Sequence, residues 1–255
     1  MIDEIRVTTG TAICEIRFNR AAKRNAITTA MYAVMRDALL AAEADDAVRV
    51  VLFTAEGDSF TAGNDLADFL LPRQSPGEAP VFGFLRALAT ATKPLVAAVK
   101  GNAVGIGTTM LLHCDIVVAA PTARLQVPFV NLGLVPEAAS SLLLPRLIGH
   151  HRASAMILLG EVLDADAAHA AGLVTRIVAT DRLDTEARAI AATLAAKAPT
   201  AVRLAKALLK GPPDAMLAQM DEEARHFEAQ LKSAECKEAI TAFFEKRTPD
   251  FTRFA

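Results

Sequence analysis

The alternation of apolar and polar residues changes character along the chain. Ile5-Arg6-Val7 and Ala12-Ile13-Cys14-Glu15-Ile16-Arg17-Phe18 alternate with the period of a half-buried strand. Thr9-Gly10-Thr11 between them predicts a hairpin turn. From 28 to 43 the apolar residues recur at helical spacing, with Thr28 or Thr29 placed to cap the first turn. Near-continuous apolar runs at 48–53 and 94–99, rich in valine, predict buried strands. Further strands are predicted at 115–120 and 124–127, and helices at 66–71 and 81–90. Between those helices, Pro72-Arg73-Gln74-Ser75-Pro76-Gly77-Glu78-Ala79-Pro80 is rich in helix breakers and predicts a mobile surface loop. Residues 131–137 read as irregular, with a helix starting at Ala138. Helical spacing then dominates at 152–159, 165–171, 182–197, 200–210 and 215–247, the last one broken. Strands interleaved with helices up to about Ile177 predict an α/β fold whose helical tail is no second core.

Two of the predicted strands run into glycine turns. Strand 94–99 leads into Gly101-Asn102-Ala103-Val104-Gly105-Ile106-Gly107, with a helix expected to start near Gly107. A helix start leaves N–H groups without partners and a partial positive charge, and glycine lets a ligand approach the backbone. Such a place suits an oxygen that becomes negative during a reaction. A nucleotide-phosphate role fits less well, because there is neither a full Gly-x-Gly-x-x-Gly nor a Walker lysine. Taken alone, the Gly-x-Gly reads equally as tight packing. Strand 48–53 leads into Asp58-Ser59-Phe60-Thr61-Ala62-Gly63-Asn64-Asp65-Leu66, a second turn with exposed backbone donors.

Composition narrows the classes. The chain has 255 residues, 53% of them apolar, enough for a sizeable core. A net charge of −2 without long runs of one sign gives no bulk attraction to nucleic acid or an anionic membrane. Cys14, Cys114 and Cys236 are odd in number and lack metal-ligand spacing, so buried thiols in a reducing, cytoplasmic compartment are expected. The start shows no signal-peptide pattern. The apolar region 103–120 contains His113 and Asp115 and reads as core rather than a membrane span. The five histidines show neither metal spacing nor a triad, and no metal site is expected. The stripe Met216, Met220, Phe227, Leu231 reads as core or interface.

Together the motifs resemble the crotonase superfamily, the enoyl-CoA hydratases and isomerases. The matching residues are Phe60-Thr61-Ala62-Gly63-Asn64-Asp65-Leu66, Lys93-Pro94 with Ala97 and Gly101, and the glycine-rich helix start. Further matches are Asn19-Arg20 with Lys23-Arg24-Asn25-Ala26, Cys114-Asp115-Ile116, Ala170-Ala171-Gly172-Leu173-Val174 and Phe243-Phe244-Glu245-Lys246-Arg247, in the expected order. The resemblance implies the crotonase fold: a ClpP-like spiral of ββα repeats over residues 1–195 holding the acyl-CoA site. It also implies a helical oligomerisation region over 196–255, in a homotrimer or hexamer. It implies an acyl-CoA thioester as substrate, with coenzyme A entering as part of it rather than as a cofactor. The setting it implies is fatty-acid β-oxidation.

The resemblance also implies roles for residues. Two backbone N–H groups, by alignment those of Ala62 and Ile106, are expected to hold the thioester oxygen as it gains charge. CoA contacts are expected from Lys23, Arg24, the backbone at Ala26, and the turn Ala62-Gly63-Asn64-Asp65-Leu66. Phe243 and Lys246 are expected to reach the CoA of a neighbouring subunit. Asp65 is also expected to brace its own turn through backbone N–H groups. The two glutamates that hydratases use fall on Thr109 and Phe129, and neither can serve as a general base near neutral pH. One carboxyl remains, Glu137. It stands where the peroxisomal type of Δ3,Δ2-enoyl-CoA isomerase, which this chain resembles there, has its base. The expected activity is therefore double-bond migration from 3-enoyl- to 2-enoyl-CoA. The rivals are a hydratase with one working carboxylate and an acyl-CoA binder without turnover.

Overall fold

A computed structural model describes residues 3–68 and 79–254. The loop predicted at 72–80 falls, up to residue 78, outside the described residues, as does the end of the helix predicted at 66–71. In chain order the elements are β1 (Ile5–Gly10), β2 (Ile13–Phe18), α1 (Thr29–Ala44), β3 (Val50–Ala55), α2 (Pro80–Thr90), β4 (Leu95–Val99) and β5 (Asn102–Val104). Then come α3 (Ile106–Thr109), β6 (Ile116–Ala119), β7 (Arg124–Gln126), α4 (Ser140–Ile148), α5 (His150–Leu158), β8 (Leu163–Asp164), α6 (Ala165–Ala170) and β9 (Arg176–Ile177). Four helices close the chain: α7 (Leu183–Ala195), α8 (Pro199–Lys210), α9 (Asp214–Leu231) and α10 (Ala234–Glu245).

The main sheet has the order β1-β2-β3-β4-β6-β9, parallel throughout except for the β1–β2 hairpin. A smaller sheet, β5-β7-β8, stands beside it. This is the mixed α/β architecture with a parallel sheet that the resemblance implied. Parallel strands are covered on both faces, which is why the 48–53 and 94–99 runs are almost wholly apolar. Val51, Phe53, Leu95, Ala97 and Val99 join the core under α1 and α2. Val50, Leu52, Val96, Ala98 and Val118 face the other way and meet Leu183, Ala187, Ala191 and Ala195 of α7. Met220 and Phe227 of the methionine stripe are buried, and Met216 and Leu231 lie against the same core.

Three local readings change. The hairpin turn falls on Thr11-Ala12, whose φ angles of 50° and 65° are those a two-residue hairpin turn demands at its centre. The apolar segment 102–113 splits into β5, the single turn α3 and a 3₁₀ turn, Met110–His113. The helix expected from Ala138 starts at Ser140, because Ala138 and Ala139 both adopt left-handed angles. Among the described residues no helix is long and apolar enough to cross a membrane.

Candidate active site

The two glycine turns are pressed together. Thr61 N–H donates to Asn102 O at 3.0 Å, and Val104 N–H donates to Thr61 O at 3.0 Å, so the end of β3 leads into a bridge with β5. Contact this close requires glycine at three places, most tightly at Gly101, where a Cβ would stand 1.9 Å from Asp58 O. At Gly63, φ is +87° and a Cβ would stand 2.8 Å from Val104 O. At Gly107 a Cβ would stand 2.6 Å from the Thr61 methyl. The glycines therefore serve the approach of one turn to the other, and both turns present their backbone donors at the same junction.

Following each N–H decides which donors remain. The Ala62 N–H donates to Arg24 O at 2.9 Å, so it is already engaged and does not supply the free donor expected there. Gly63 N–H donates to Thr61 Oγ1 at 3.1 Å. Asp65 N–H donates to Ile27 O at 2.9 Å, while Ile27 N–H donates to Gly63 O at 2.8 Å. That bridge leaves the Asn64 N–H facing away from Ile27, with no acceptor among the described residues. In the second turn Gly105 N–H donates to Gln126 O at 2.9 Å, whereas the N–H groups of Ile106 and Gly107, at the start of α3, have no acceptor among the described residues. The free donor in the first turn is thus Asn64 rather than Ala62, and Ile106 is free in the second. Tyr32, buried on α1, donates its hydroxyl to Asn64 Oδ1 and fixes that residue.

Glu137 is the third component. It is only 7% exposed, its Oε1 has no hydrogen-bond partner, and no ion pair involves it among the described residues. Burial first, and then the neighbouring Glu223 carboxylate, push its carboxyl up to about 8. Its charge also reaches Tyr32: burial holds that phenol well above its usual range, and Glu137 adds to the effect. Tyr32 thus stands between Asn64, by hydrogen bond, and Glu137, by field. The hydratase positions hold no acid: Thr109 is fully buried with Oγ1 unpartnered, and Phe129 is buried at the head of the Val130–Leu132 turn.

Among the described residues the two turns thus hold amides without acceptors at Asn64 and Ile106, and Glu137 is linked to them only through Tyr32; direct comparison with known proteins bears on the family. Residues 8–253 match the family model described as enoyl-CoA hydratase/isomerase. The chain belongs to the enoyl-CoA hydratase/isomerase family. An enoyl-CoA hydratase/isomerase structure from Pseudoalteromonas atlantica T6c superposes with a TM-score of 0.95 at 45% identity, covering 98% of this chain and all of that one. Enoyl-CoA delta isomerase 2 of Rattus norvegicus is 37% identical over 95% of this chain; the match spans 64% of the rat protein's length. The 1,2-epoxyphenylacetyl-CoA isomerase of Escherichia coli K12 is 34% identical over 94% of this chain and 95% of its own.

In this enoyl-CoA hydratase/isomerase family member the remaining expected CoA residues are spread out. Lys23 ends the 3₁₀ turn Ala21–Lys23, and Arg24 follows it with a left-handed φ of 49°. Arg24 lines a surface groove of about 570 Å³ with Asn25, Glu56, Asp58 and Gly101. The Ala26 carbonyl accepts from Arg20 at 2.9 Å. Asp65 accepts from Ala67 N–H at 3.1 Å, as a brace would, and also pairs with Arg20 at 2.7 Å, a partner the sequence reading missed. Leu66 continues the same turn. Phe243 is exposed on α10 and Lys246 is its left-handed cap, and among the described residues neither bonds to Glu137. Asn64 as donor, Tyr32, and the buried Glu223 and His113 beneath the Glu137 turn were not foreseen. Only the kink at Gly63, which turns the next N–H outward, left a trace in the sequence.

Proposed function

We propose that the protein moves the double bond of a 3-enoyl-CoA to the 2 position, with Glu137 as its one acid–base group. The observation that carries this is the buried, unpartnered Glu137 carboxyl, together with the absence of acids at Thr109 and Phe129. The N–H groups of Asn64 and Ile106 hold the thioester oxygen. Glu137 takes a proton from C2; the C2–H electrons form the C1–C2 double bond and the oxygen becomes negative. The charge then returns, the C2–C3 double bond forms, and the electrons of the old C3–C4 bond take the proton back from Glu137 at C4. One carboxyl suffices because taking a proton at C2 leaves it protonated and able to deliver one at C4. Two amides aimed at the growing oxyanion supply the electrostatic part, where one lost donor typically costs about 100-fold or more. Hydration asks for a second group to manage water, and a threonine and a phenylalanine do not provide it.

Conversion of 3-hexenoyl-CoA to its 2-enoyl isomer, with exchange of the C2 proton in D₂O read by NMR, tests this. Hydration of crotonyl-CoA at a comparable rate would favour the hydratase reading. CoA binding with neither isomerisation nor C2 proton exchange would overturn catalysis altogether. The exposed leucines of α8, Leu204, Leu208 and Leu209, are read as a contact with further copies of the chain in a trimer or hexamer. Sedimentation of the wild type against Leu208→Glu tests that.

A further inference from the structure

Glu137 heads a turn that its own sequence does not favour. Ala138 and Ala139 both lie in the left-handed region, with φ of 60° and 56°. That conformation costs an L-residue roughly 1–2 kcal/mol, and neither is a glycine or asparagine, the residues that visit it readily. The turn is held from outside. Glu223, on α9, accepts from Ala139 N–H at 2.6 Å, from Ser141 N–H at 2.9 Å, and from the Ser141 hydroxyl. It is only 5% exposed. Gln219, one turn earlier on α9, donates to Ser141 Oγ at 3.0 Å. From below, the neutral His113 ring donates from Nε2 to Ala138 O at 2.9 Å. Ser140 closes the turn, donating its hydroxyl to Glu137 O at 2.6 Å.

A buried carboxylate is a costly way to satisfy the start of α4. A serine or asparagine at the cap would do it locally, with no charge to desolvate. This carboxylate also comes from a different helix and lies near enough to Glu137 to oppose its ionisation. Resting on the reading of Glu137 as the base, we propose that Glu223 is a positioning residue: it locks the left-handed Ala138-Ala139 pair and thereby fixes the direction of the Glu137 carboxyl. Its negative charge has a second effect, on when Glu137 ionises. The other titratable groups facing the turn are Tyr32 on α1 and His113. Burial drops His113 to about 4 and leaves it uncharged, with Lys206 and Lys210 of α8 acting on it in the same direction. Neither lysine is among the groups that shift Glu137 or Glu223.

Glu223→Gln keeps the shape, removes the charge, and leaves one acceptor oxygen where two served. The expected result is a kcat lower by roughly ten- to hundredfold with KM within about twofold, because direction is lost and binding is not. The pH at which kcat/KM is half-maximal should fall by about half a unit or more. The carboxyl signal of Glu137, assigned by difference from Glu137→Gln in ¹³C-labelled protein, should titrate lower to match. Unchanged kcat and an unmoved titration overturn the proposal. So does a kcat loss with the Glu137 titration in place, which would make Glu223 a support for the fold alone. Should Glu223→Gln not fold, Ser141→Ala removes a single donor, and a kcat reduced about two- to fivefold at constant KM is expected; an unchanged kcat overturns the proposal. The NMR titration reads the clamp even if Glu137→Gln proves active, so a failed clamp and a failed isomerase reading are told apart.

Discussion

The proposed site has an amide half and a carboxyl half, and the two are built in different ways. Asn64 and Ile106 offer main-chain donors, and the glycines that make the approach possible lie within the same two turns, with Tyr32 holding the Asn64 side chain from α1. Glu137 is presented by a side chain on a turn of alanines, and the groups holding that turn come from residues 113 and 223, far away in sequence. Alanine survives in a left-handed turn there because both methyls are buried, at 2% and 0% exposure. Each buried methyl contributes about 0.8 kcal/mol, which offsets much of the roughly 1 kcal/mol or more of strain. The amide half thus rests on glycines that the sequence displays, and the carboxyl half on a side chain whose supports the sequence does not mark.

The largest expected effect falls on the carboxyl half. Glu137→Gln should lower kcat by about 10³-fold or more while the fold persists, because on the proposed reading it removes the group that moves the proton. Steady-state isomerisation with a matched circular dichroism spectrum checks this. Near-normal activity in a folded variant would end the case for Glu137. Next comes the amide half. Gly63→Ala puts a methyl 2.8 Å from Val104 O at a φ of +87°, so the two turns must separate. Loss of roughly 100-fold in kcat and about 2 kcal/mol of stability is expected, measured by turnover and urea melts. If Gly63→Ala kept its activity, the close approach of the two turns would not be needed.

The pH dependence has a smaller, signed effect. With Glu137 held up to about 8, kcat/KM should rise close to tenfold per pH unit below that value and level off above it. Stability moves the other way. The carboxyl is raised from an ordinary 4.5, so between those values the folded state binds more protons than the unfolded one. Its contribution is present below about 4.5 and is lost as pH climbs toward about 8. Glu137→Gln should therefore match the wild type in Tm near pH 4 and exceed it near pH 9. A pH-independent difference in Tm would contradict a buried, unpartnered carboxyl.

How much of this was legible in the sequence follows the same division. Apolar runs announced β3 and β4, helical spacing announced α1 with its Thr28 cap, and glycines marked both turns. These signals are local, and the matched motifs set them in the family's order. Glu137 was found because its neighbours matched a family pattern; its isolation from any partner could not be read from them. Ala62 was mistaken for the free donor because Arg24 O, 38 positions earlier in the chain, meets its N–H only after folding. Glu223 looked like one more acidic residue on a charged helix. Nothing in Asp221-Glu222-Glu223 distinguishes the buried one from its neighbours, since which face of α9 meets α4 is decided by packing.

The smallest prediction concerns Thr109, which sits on the amide half where hydratases carry an acid. Its hydroxyl is wholly buried and has no partner among the described residues, so the folded protein bears the desolvation of a polar group without a hydrogen bond in return. Valine has the same shape and no such group. Thr109→Val should therefore stabilise the fold by about 1 kcal/mol, or roughly 2–4 °C in Tm for a chain of this size. Thermal melts with and without a saturating acyl-CoA sharpen the comparison. A gain in both says the hydroxyl is a relic of packing. A gain that vanishes or reverses when substrate is bound says the hydroxyl meets the ligand, and the amide half then includes a side chain after all.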